Sequence, residues 1–270
     1  MLFRSGVNSY KDGVVGRLYK GLTGLVKSRN VTVVEGTGRL ASATTVVVTT
    51  ANGEVTLTGK HIVLASGSYA RSLPGLDISG RIMTSDQALN LDYVPEKVIV
   101  LGGGVIGVEF ASVWKSFGSD VTIIEALPRL VPAEDEAVSK AFERAYRKRK
   151  INFVTGVRFQ SATQDESGVH VTLENGDTLD ADLLLVAVGR GPQTEGLGFE
   201  EAGIAMDRGW VVVDDRLRTN VPGVFAVGDI TPGLQLAHRG FQQGIFVAEE
   251  IGGRSEEHTS ELQSRVDISY

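Results

Sequence analysis

Residues 97–107 read KVIVLGGGVIG, an apolar β-rich run that ends on three glycines, with a fourth glycine three positions later. Gly102, Gly104 and Gly107 form G-x-G-x-x-G between a predicted buried strand and the opening of a predicted helix, and Gly103, Val105 and Ile106 fill the turn. Each glycine has its own reason in that context. The first permits a tight turn, the second lets backbone come close to a pyrophosphate, and the third lets helix and strand pack closely. The helix N-terminus adds partial positive charge and unpaired N–H groups. Glu125 ends the next predicted strand, DVTIIEA, where its carboxylate can accept both hydroxyls of an adenosine ribose. A carboxylate there repels a 2′-phosphate, and no basic residue follows until Arg129, so NAD is expected in preference to NADP.

The surrounding pattern alternates strand and helix. After KVIVLGG come a helix from Val105 to Phe117, the strand DVTIIEA, a helix from Glu134 to Lys150 and the strand INFVTG, a βαβαβ order that calls for a parallel sheet. VRFQSATQ, GVHVTLE, the Asn175-Gly176 turn and DLLLVAVG follow as a meander, an antiparallel appendage to that sheet. Upstream, Val14, Val15, Leu18, Leu22, Leu25 and Val26 recur at helical spacing and predict one amphipathic helix over 11–30. VTVVEGTGRL, the hairpin TTVVVTTANGEVTLTG and HIVLASG read as strands, and the polar stretch from Pro74 to Pro95 reads as a linker. WVVVDDRLRT, the strand VFAVGD and a helix from Ala237 to Ile251 close the ordered pattern.

Composition narrows the chemistry. There is no cysteine, which removes disulfides, thiolate metal sites and a cysteine nucleophile from these 270 residues. His61, His170, His238 and His258 lack metal-ligand spacing, and no metal site is expected. A net charge of -6 argues against a nucleic-acid surface, and the basic run Arg144 to Lys150 falls at a predicted helix end, where it complements the dipole. No apolar run reaches the roughly 18 residues of a membrane span, and the start carries no secretion-type apolar stretch. No membrane partner and a cytoplasmic location are therefore expected. The closing RSEEHTSELQSRVDISY is polar and aperiodic; RSEEHTSELQS corresponds to a translated sequencing-library adapter, and LFRS near the start to its companion. Residues 254–270 are accordingly expected to be an artefactual or disordered tail.

GGGVIGVEFASVWKSFGSDVTIIEALPRLVPAEDEAVSKAF resembles the NAD domain of dihydrolipoyl dehydrogenases, within the class I pyridine nucleotide-disulfide oxidoreductases. LVAVGRGPQTEGLG is similar to their later strand and Gly-Arg turn, and TNVPGVFAVGDI with LQLAHRGFQQG to the segment that holds the flavin. KDGVVGRLYKGLTGLVKSRNVTVVEGTGRL and IVLASGSYARSLPGL resemble the upstream flavin-domain portion. The fold class this implies is α/β: a Rossmann-like NAD domain, parallel sheet plus antiparallel meander, inserted in an incomplete FAD-binding domain. Residues 6–93 would be partial FAD-binding domain, 94–216 NAD-binding domain and 217–253 the C-terminal FAD segment.

By position, the resemblance implies two cofactors, NAD and FAD. Asp229 would accept a hydrogen bond from the flavin ribityl chain, and Gln235, Leu236, Ala237 and His238 would lie along the flavin, mainly through backbone. Ser66, Gly67 and Ser68 stand where the family has Thr-Gly-Ser, with Ser66 a departure that keeps a hydroxyl. Gly38 would allow backbone to approach the adenine end, and Gly189 would approach the nicotinamide nucleotide. Glu109 would support hydride transfer by pairing with a lysine beside the flavin ring; its place early in a helix also suits the dipole alone.

The family begins with a flavin-binding G-x-G-x-x-G unit and a helix with two redox cysteines, and ends with an interface domain bearing a His-Glu pair; this sequence contains neither. The implied parent activity is oxidation of protein-bound dihydrolipoamide with reduction of NAD, in a homodimer that serves lipoyl domains of 2-oxo-acid dehydrogenase complexes. Without the cysteines, this chain should not complete that circuit. Alternatives are a mercuric, glutathione or CoA-disulfide reductase, an NADH oxidase, or a catalytically silent nucleotide-binding module. Because the flavin-domain sheet would lack a strand, only the NAD unit is expected to fold independently.

Overall fold

A computed structural model of the chain describes residues 2–253, and the expected tail at 254–270 lies outside them. The chain opens with helix α1 (Leu2–Ser28) and the strands β1 (Thr37–Ser42), β2 (Thr45–Thr50) and β3 (Gly53–Thr58). Short strands β4 (Ile62–Leu64), β5 (Ser68–Ala70) and β6 (Ile82–Thr84) lead into a single turn of helix, α2 (Ser85–Ala88). The glycine-rich region comprises β7 (Lys97–Leu101), α3 (Val105–Ser116), β8 (Asp120–Glu125), α4 (Glu136–Lys148) and β9 (Asn152–Thr155). The meander is β10 (Phe159–Gln164), β11 (Val169–Leu173) and β12 (Thr178–Ala181), followed by β13 (Leu183–Val186). Last come β14 (Arg190–Pro192), β15 (Met206–Asp207), β16 (Trp210–Val211), β17 (Val224–Ala226) and α5 (Ala237–Ile251).

Two compact units result: residues 2–30 with 70–189, and residues 31–69 with 190–253. The first is built on an all-parallel sheet ordered β6-β13-β7-β8-β9. Its strands are continuous apolar runs because both faces are covered. Val98, Val100, Val121, Ile123, Leu183 and Leu185 pack against Val108, Ala111 and Trp114 of α3 and Tyr146 of α4. The alternate residues Ile99, Leu101, Ile124, Leu184 and Val186 pack against Val169, Val171 and Leu173 of the meander.

Several expectations need correction. The stretch from Pro74 to Pro95 is not a linker: Ile82, Met83 and Thr84 of β6 pair in parallel with Leu184, Leu185 and Val186, and Leu76 and Ala88 are buried. Thr84 then starts α2 with a capping box, its side chain and backbone meeting Asp86 and Gln87. A three-residue strand is too short to show alternation, so only its polar flanks are legible locally. The compact unit that holds this sheet therefore takes in residues 70–93, upstream of the expected start at 94, as well as 2–30. It ends at 189, not 216, because Phe199, Ile204 and Val211 pack with Leu64 and Val224 in the second unit. VTVVE forms no strand; β1 starts at Thr37, and Val31 and Val33 are exposed.

Helix α1 begins at Leu2, well before Lys11. Of its expected apolar stripe only Val14 and Val26 are partly buried, while Val15, Leu18, Leu22 and Leu25 are exposed. Gly6, Gly13, Gly16, Gly21 and Gly24 lie within it, each costing a helix roughly 1 kcal/mol against alanine. Asn8 and Lys11 attach the helix by donating to the carbonyls of Leu91 and Leu89.

In the second unit, β1, β2 and β3 form an antiparallel sheet and β17 pairs in parallel with β4. Helix α5 lays Phe246 and Val247 on Phe225 and Val227. Glu250, near the end of α5, has a side chain only 5% exposed and is held by Arg216 and Arg218. No helix among the described residues is long and apolar enough to cross a membrane.

Candidate functional site

The glycine-rich turn in the first unit shows a separate physical cause for each glycine. Gly102 has φ +110, and a Cβ there would meet the Ala187 carbonyl oxygen at 2.3 Å, so strand and turn pass at backbone contact. A Cβ on Gly107 would lie 1.9 Å from the Gly102 carbonyl oxygen, which requires glycine for α3 to sit this close to β7. A Cβ at Gly104 would meet nothing within 4 Å. Gly104 is also the N-cap of α3, has no side-chain cap, and precedes a first turn without acidic residues. Two glycines are thus required by the fold, and the third leaves an open, uncapped helix N-terminus where an anion can approach.

Glu125 adjoins this turn. Its carboxylate is buried, and its two oxygens accept the N–H groups of Gly103 (2.7 Å) and Leu127 (2.8 Å). It therefore braces the turn, a task its spacing in the sequence does not reveal, while each oxygen keeps a lone pair for a hydroxyl donor. Arg129 donates to the carbonyls of Pro132 and Glu134 and so is engaged within its own loop. Val105 is exposed and Ile106 partly buried. Glu109 lies exposed on α3 and lines, with Val105, Ser112, Val131 and Val138, a groove of about 680 Å³ between α3 and α4. Tyr146 borders that groove and donates to the Val108 carbonyl at 2.7 Å; burial is the main cause that raises its pKa. Gly189, with φ +110 and open space around it, accepts from the Arg71 N–H.

In the second unit the turn after β17 carries Asp229. Gly228 has φ +73, and its N–H donates to Oε1 of the buried Gln243 on α5 at 2.7 Å. The Thr231 hydroxyl donates to the Gly228 carbonyl at 2.8 Å. A Cβ on Gly240 of α5 would lie 3.4 Å from the Gly228 Cα, at the edge of ordinary contact. The Ser68 hydroxyl donates to Asp229 Oδ2 at 2.6 Å, and Arg190 donates to Ser68 through Nε to the hydroxyl and through Nη2 to the carbonyl, both at 2.7 Å. Arg239 spans the next loop, donating to the carbonyls of Pro232 and Leu234 and to the Thr231 hydroxyl. Its burial lowers its pKa, against the opposing pull of the Asp229 charge.

Ser68 and Asp229, two of the residues singled out from sequence, are thus in contact. Ser66 lies nearby in the chain with its hydroxyl donating to the Gln193 carbonyl at 2.5 Å, and Gly67 adopts φ +79 in open space. Gln235 reaches the Asp229 carbonyl at 3.5 Å, and Leu236, Ala237 and His238 form the exposed, uncapped start of α5. Gly38 lies within β1, where a Cβ would make only ordinary contact with Val46; the glycine the hairpin requires is Gly36, whose Cβ would meet the Thr49 carbonyl oxygen at 2.3 Å. Arg190, Gln243 and Arg239 were not legible as site residues. Arg190 follows Gly189 in a Gly-Arg turn, but nothing in its spacing points to Ser68, 122 positions away.

Both turns suit the groups that the sequence suggests. The Gly104 turn offers free N–H groups, space and a carboxylate beyond, the chemistry of a dinucleotide pyrophosphate and ribose. The Asp229 turn offers a carboxylate with one oxygen engaged, suited to accepting from a polyhydroxyl chain.

The family model described as Pyridine nucleotide-disulphide oxidoreductase matches residues 3–244. Dihydrolipoyl dehydrogenase 1, mitochondrial, of Arabidopsis thaliana is 41% identical over 252 residues, which are 90% of this chain and 50% of that protein. Dihydrolipoyl dehydrogenase of Cupriavidus necator is also 41% identical over 252 residues, 90% of this chain and 53% of that protein. Among solved structures, the Cu(II) complex of the HOCl-induced flavoprotein disulfide reductase RclA from Escherichia coli matches with a TM-score of 0.86 and 32% identity, over 92% of this chain and 57% of that one. The chain spans about half the length of the curated relatives it matches.

Proposed function

The chain belongs to the pyridine nucleotide-disulphide oxidoreductase family, whose members use FAD and NAD(H), and from that premise we propose that its first unit binds NAD(H) and its second holds part of FAD. The observation that carries this is the contrast among Gly102, Gly104 and Gly107, with Glu125 beside them: two positions are closed by backbone and one is left open above a helix N-terminus.

When bound, the cofactors supply hydride transfer between nicotinamide and flavin. The residues of this chain hold and orient. Gly103, Gly104, Val105, Ile106 and Gly107 present the N-terminal N–H groups of α3 to a pyrophosphate. Glu125 accepts the adenosine ribose hydroxyls and disfavours a 2′-phosphate by charge. Gly189 gives room near the nicotinamide nucleotide, and Glu109 acts as a supporting carboxylate in the longer enzyme. For the flavin, Asp229 accepts from the ribityl chain, with Gly38, Ser66, Gly67 and Ser68 and the backbone of 235–238 along its length.

The complete activity proposed is oxidation of protein-bound dihydrolipoamide with reduction of NAD, by a cytoplasmic homodimer acting on lipoyl domains. That reaction needs a redox disulfide, and the 270 residues contain no cysteine, so this chain alone is proposed to be inactive in it. Titration with NADH, followed by energy transfer from Trp114 and Trp210, tests the nucleotide site. Saturable binding of NADH that is tighter than that of NADPH is expected. Equal or tighter NADPH binding would remove the role given to Glu125, and no binding of either would remove the nucleotide reading.

A further inference from the structure

We propose that Arg190 is a positioning residue of the flavin site, acting on Asp229 through Ser68; this rests on the reading of the second unit as flavin-holding. The direction of the contacts is set by chemistry. An arginine Nε can only donate, so the Ser68 oxygen receives the Arg190 proton at 2.7 Å, and its own single proton goes to Asp229 Oδ2 at 2.6 Å. Arg190 Nη2 also holds the Ser68 carbonyl at 2.7 Å, which fixes the serine backbone together with its hydroxyl. A cationic fork, a polarised hydroxyl and a carboxylate thus run in one line, and charge-assisted bonds of this kind are the stronger class.

The backbone beneath Asp229 is held separately. Gln243 and Thr231 hold the turn without touching the carboxylate. What remains to be defined is the rotamer of the Asp229 side chain, and the Ser68–Arg190 pair defines it. With Oδ2 occupied, Oδ1 is the oxygen that among the described residues accepts no bond, and it is the one presented to a ribityl hydroxyl. Arg190 thus decides which oxygen of Asp229 meets the ligand.

The test uses the full 270-residue chain and the variants Arg190→Ala, Arg190→Lys, Ser68→Ala and Asp229→Asn. Two readouts are needed. The first is the Asp229 carboxyl carbon resonance, which requires no flavin. In Arg190→Ala it should move in the same direction as in Ser68→Ala, while the remaining backbone amide spectrum stays in place. The second is titration with FAD and with lumiflavin, which has the isoalloxazine ring but no ribityl chain. Arg190→Ala should weaken FAD about tenfold, leave lumiflavin unchanged, and add less than about twofold on an Asp229→Asn background. Arg190→Lys, which keeps the charge but loses the fork, should fall between wild type and Arg190→Ala. An unmoved Asp229 carbon in Arg190→Ala overturns the proposal whether or not flavin binds. Equal weakening of FAD and lumiflavin, or additivity with Asp229→Asn, also overturns it in favour of a merely structural role. A wild-type chain that binds neither flavin sinks the flavin reading itself, while the carbon resonance still decides whether Arg190 sets Asp229.

Discussion

The turn at Gly104 and the turn at Asp229 both place backbone and a carboxylate where a ligand can meet them, yet the balance of packing and hydrogen bonding that holds them differs. The first sits at the end of a five-stranded sheet buried on both faces, and close backbone packing at Gly102 and Gly107 shapes it, with Glu125 bracing Gly103 from one side. The second follows a strand paired with β4 and is held by side-chain hydrogen bonds from Ser68, Gln243 and Thr231. Packing tolerates no added atom, whereas hydrogen-bonded wiring tolerates no lost partner. Mutations should therefore damage the two units in opposite ways.

The largest effect is expected from Gly107→Ala. A methyl 1.9 Å from the Gly102 carbonyl forces α3 off the sheet, at a cost of about 3 kcal/mol or more, and should lower the thermal midpoint and abolish NADH binding together. A native-like midpoint by circular dichroism would break the claim that packing defines the first turn. Next, limited proteolysis and hydrogen exchange should find the slowest amides in β7, β8 and β13 and leave a protected core within residues 70–189. A core that spans both units would remove the contrast.

On the other side of the comparison, Glu250→Ala leaves two arginines without their shared, buried carboxylate. Discounted for the exposure of Arg216 and Arg218, the loss should be about 1–2 kcal/mol by urea unfolding, and confined to the second unit. Equal loosening of α3 amides would show that the units do not respond separately. Gly104→Ala sharpens the contrast further. With φ -73 and open space, alanine fits sterically, so stability should fall by no more than about 1 kcal/mol, the N-cap preference for glycine over alanine. NADH affinity should nonetheless fall about tenfold or more, because the methyl occupies the space proposed for the pyrophosphate. Unchanged affinity would sink the site assignment.

The smallest effect concerns the exposed edge of the meander. His170 Nδ1 lies 2.7 Å from Asp180 and Nε2 lies 3.2 Å from Asp165; the Asp180 hydrogen bond is the main cause that raises its pKa above 6.5. Asp165 is lowered to about 2, chiefly by the Ser167 hydroxyl and N–H. The raised histidine stabilises the fold below pH 6.5, and its contribution is lost as pH rises through the raised value. The lowered aspartate contributes above pH 3.8, and that contribution is lost as pH falls toward 2. His170→Gln should therefore melt slightly earlier than wild type at pH 5.5 and converge with it at alkaline pH. A difference that grew with pH would reverse the sign.

How much of this was legible in the sequence depends on the range of the interaction. The βαβαβ order, the glycine turn and Glu125 could all be read from neighbouring residues, because periodicity and turn chemistry are local. The amphipathic stripe of α1 was also legible, yet four of its apolar residues are exposed, because a stripe states what a helix could bury and not what is there to cover it. β6 was missed because three residues carry no period, and its membership in the sheet comes from pairing with Leu184–Val186, about a hundred positions on. The boundaries at 70 and 189 follow from that pairing and from the packing of Val211 with Leu64.

By itself, then, the sequence determined the fold class, the glycine-rich turn and its accompanying carboxylate, and through resemblance it singled out Ser68 and Asp229 as candidates. Only the tertiary structure decided that Glu125 also braces Gly103, that of Gly102, Gly104 and Gly107 it is Gly104 that is open, and that Arg190 reaches Ser68 and through it Asp229. Turn chemistry is written in adjacent residues, whereas a hydrogen bond between residues more than a hundred positions apart exists only once the fold has brought donor and acceptor within 3 Å of each other.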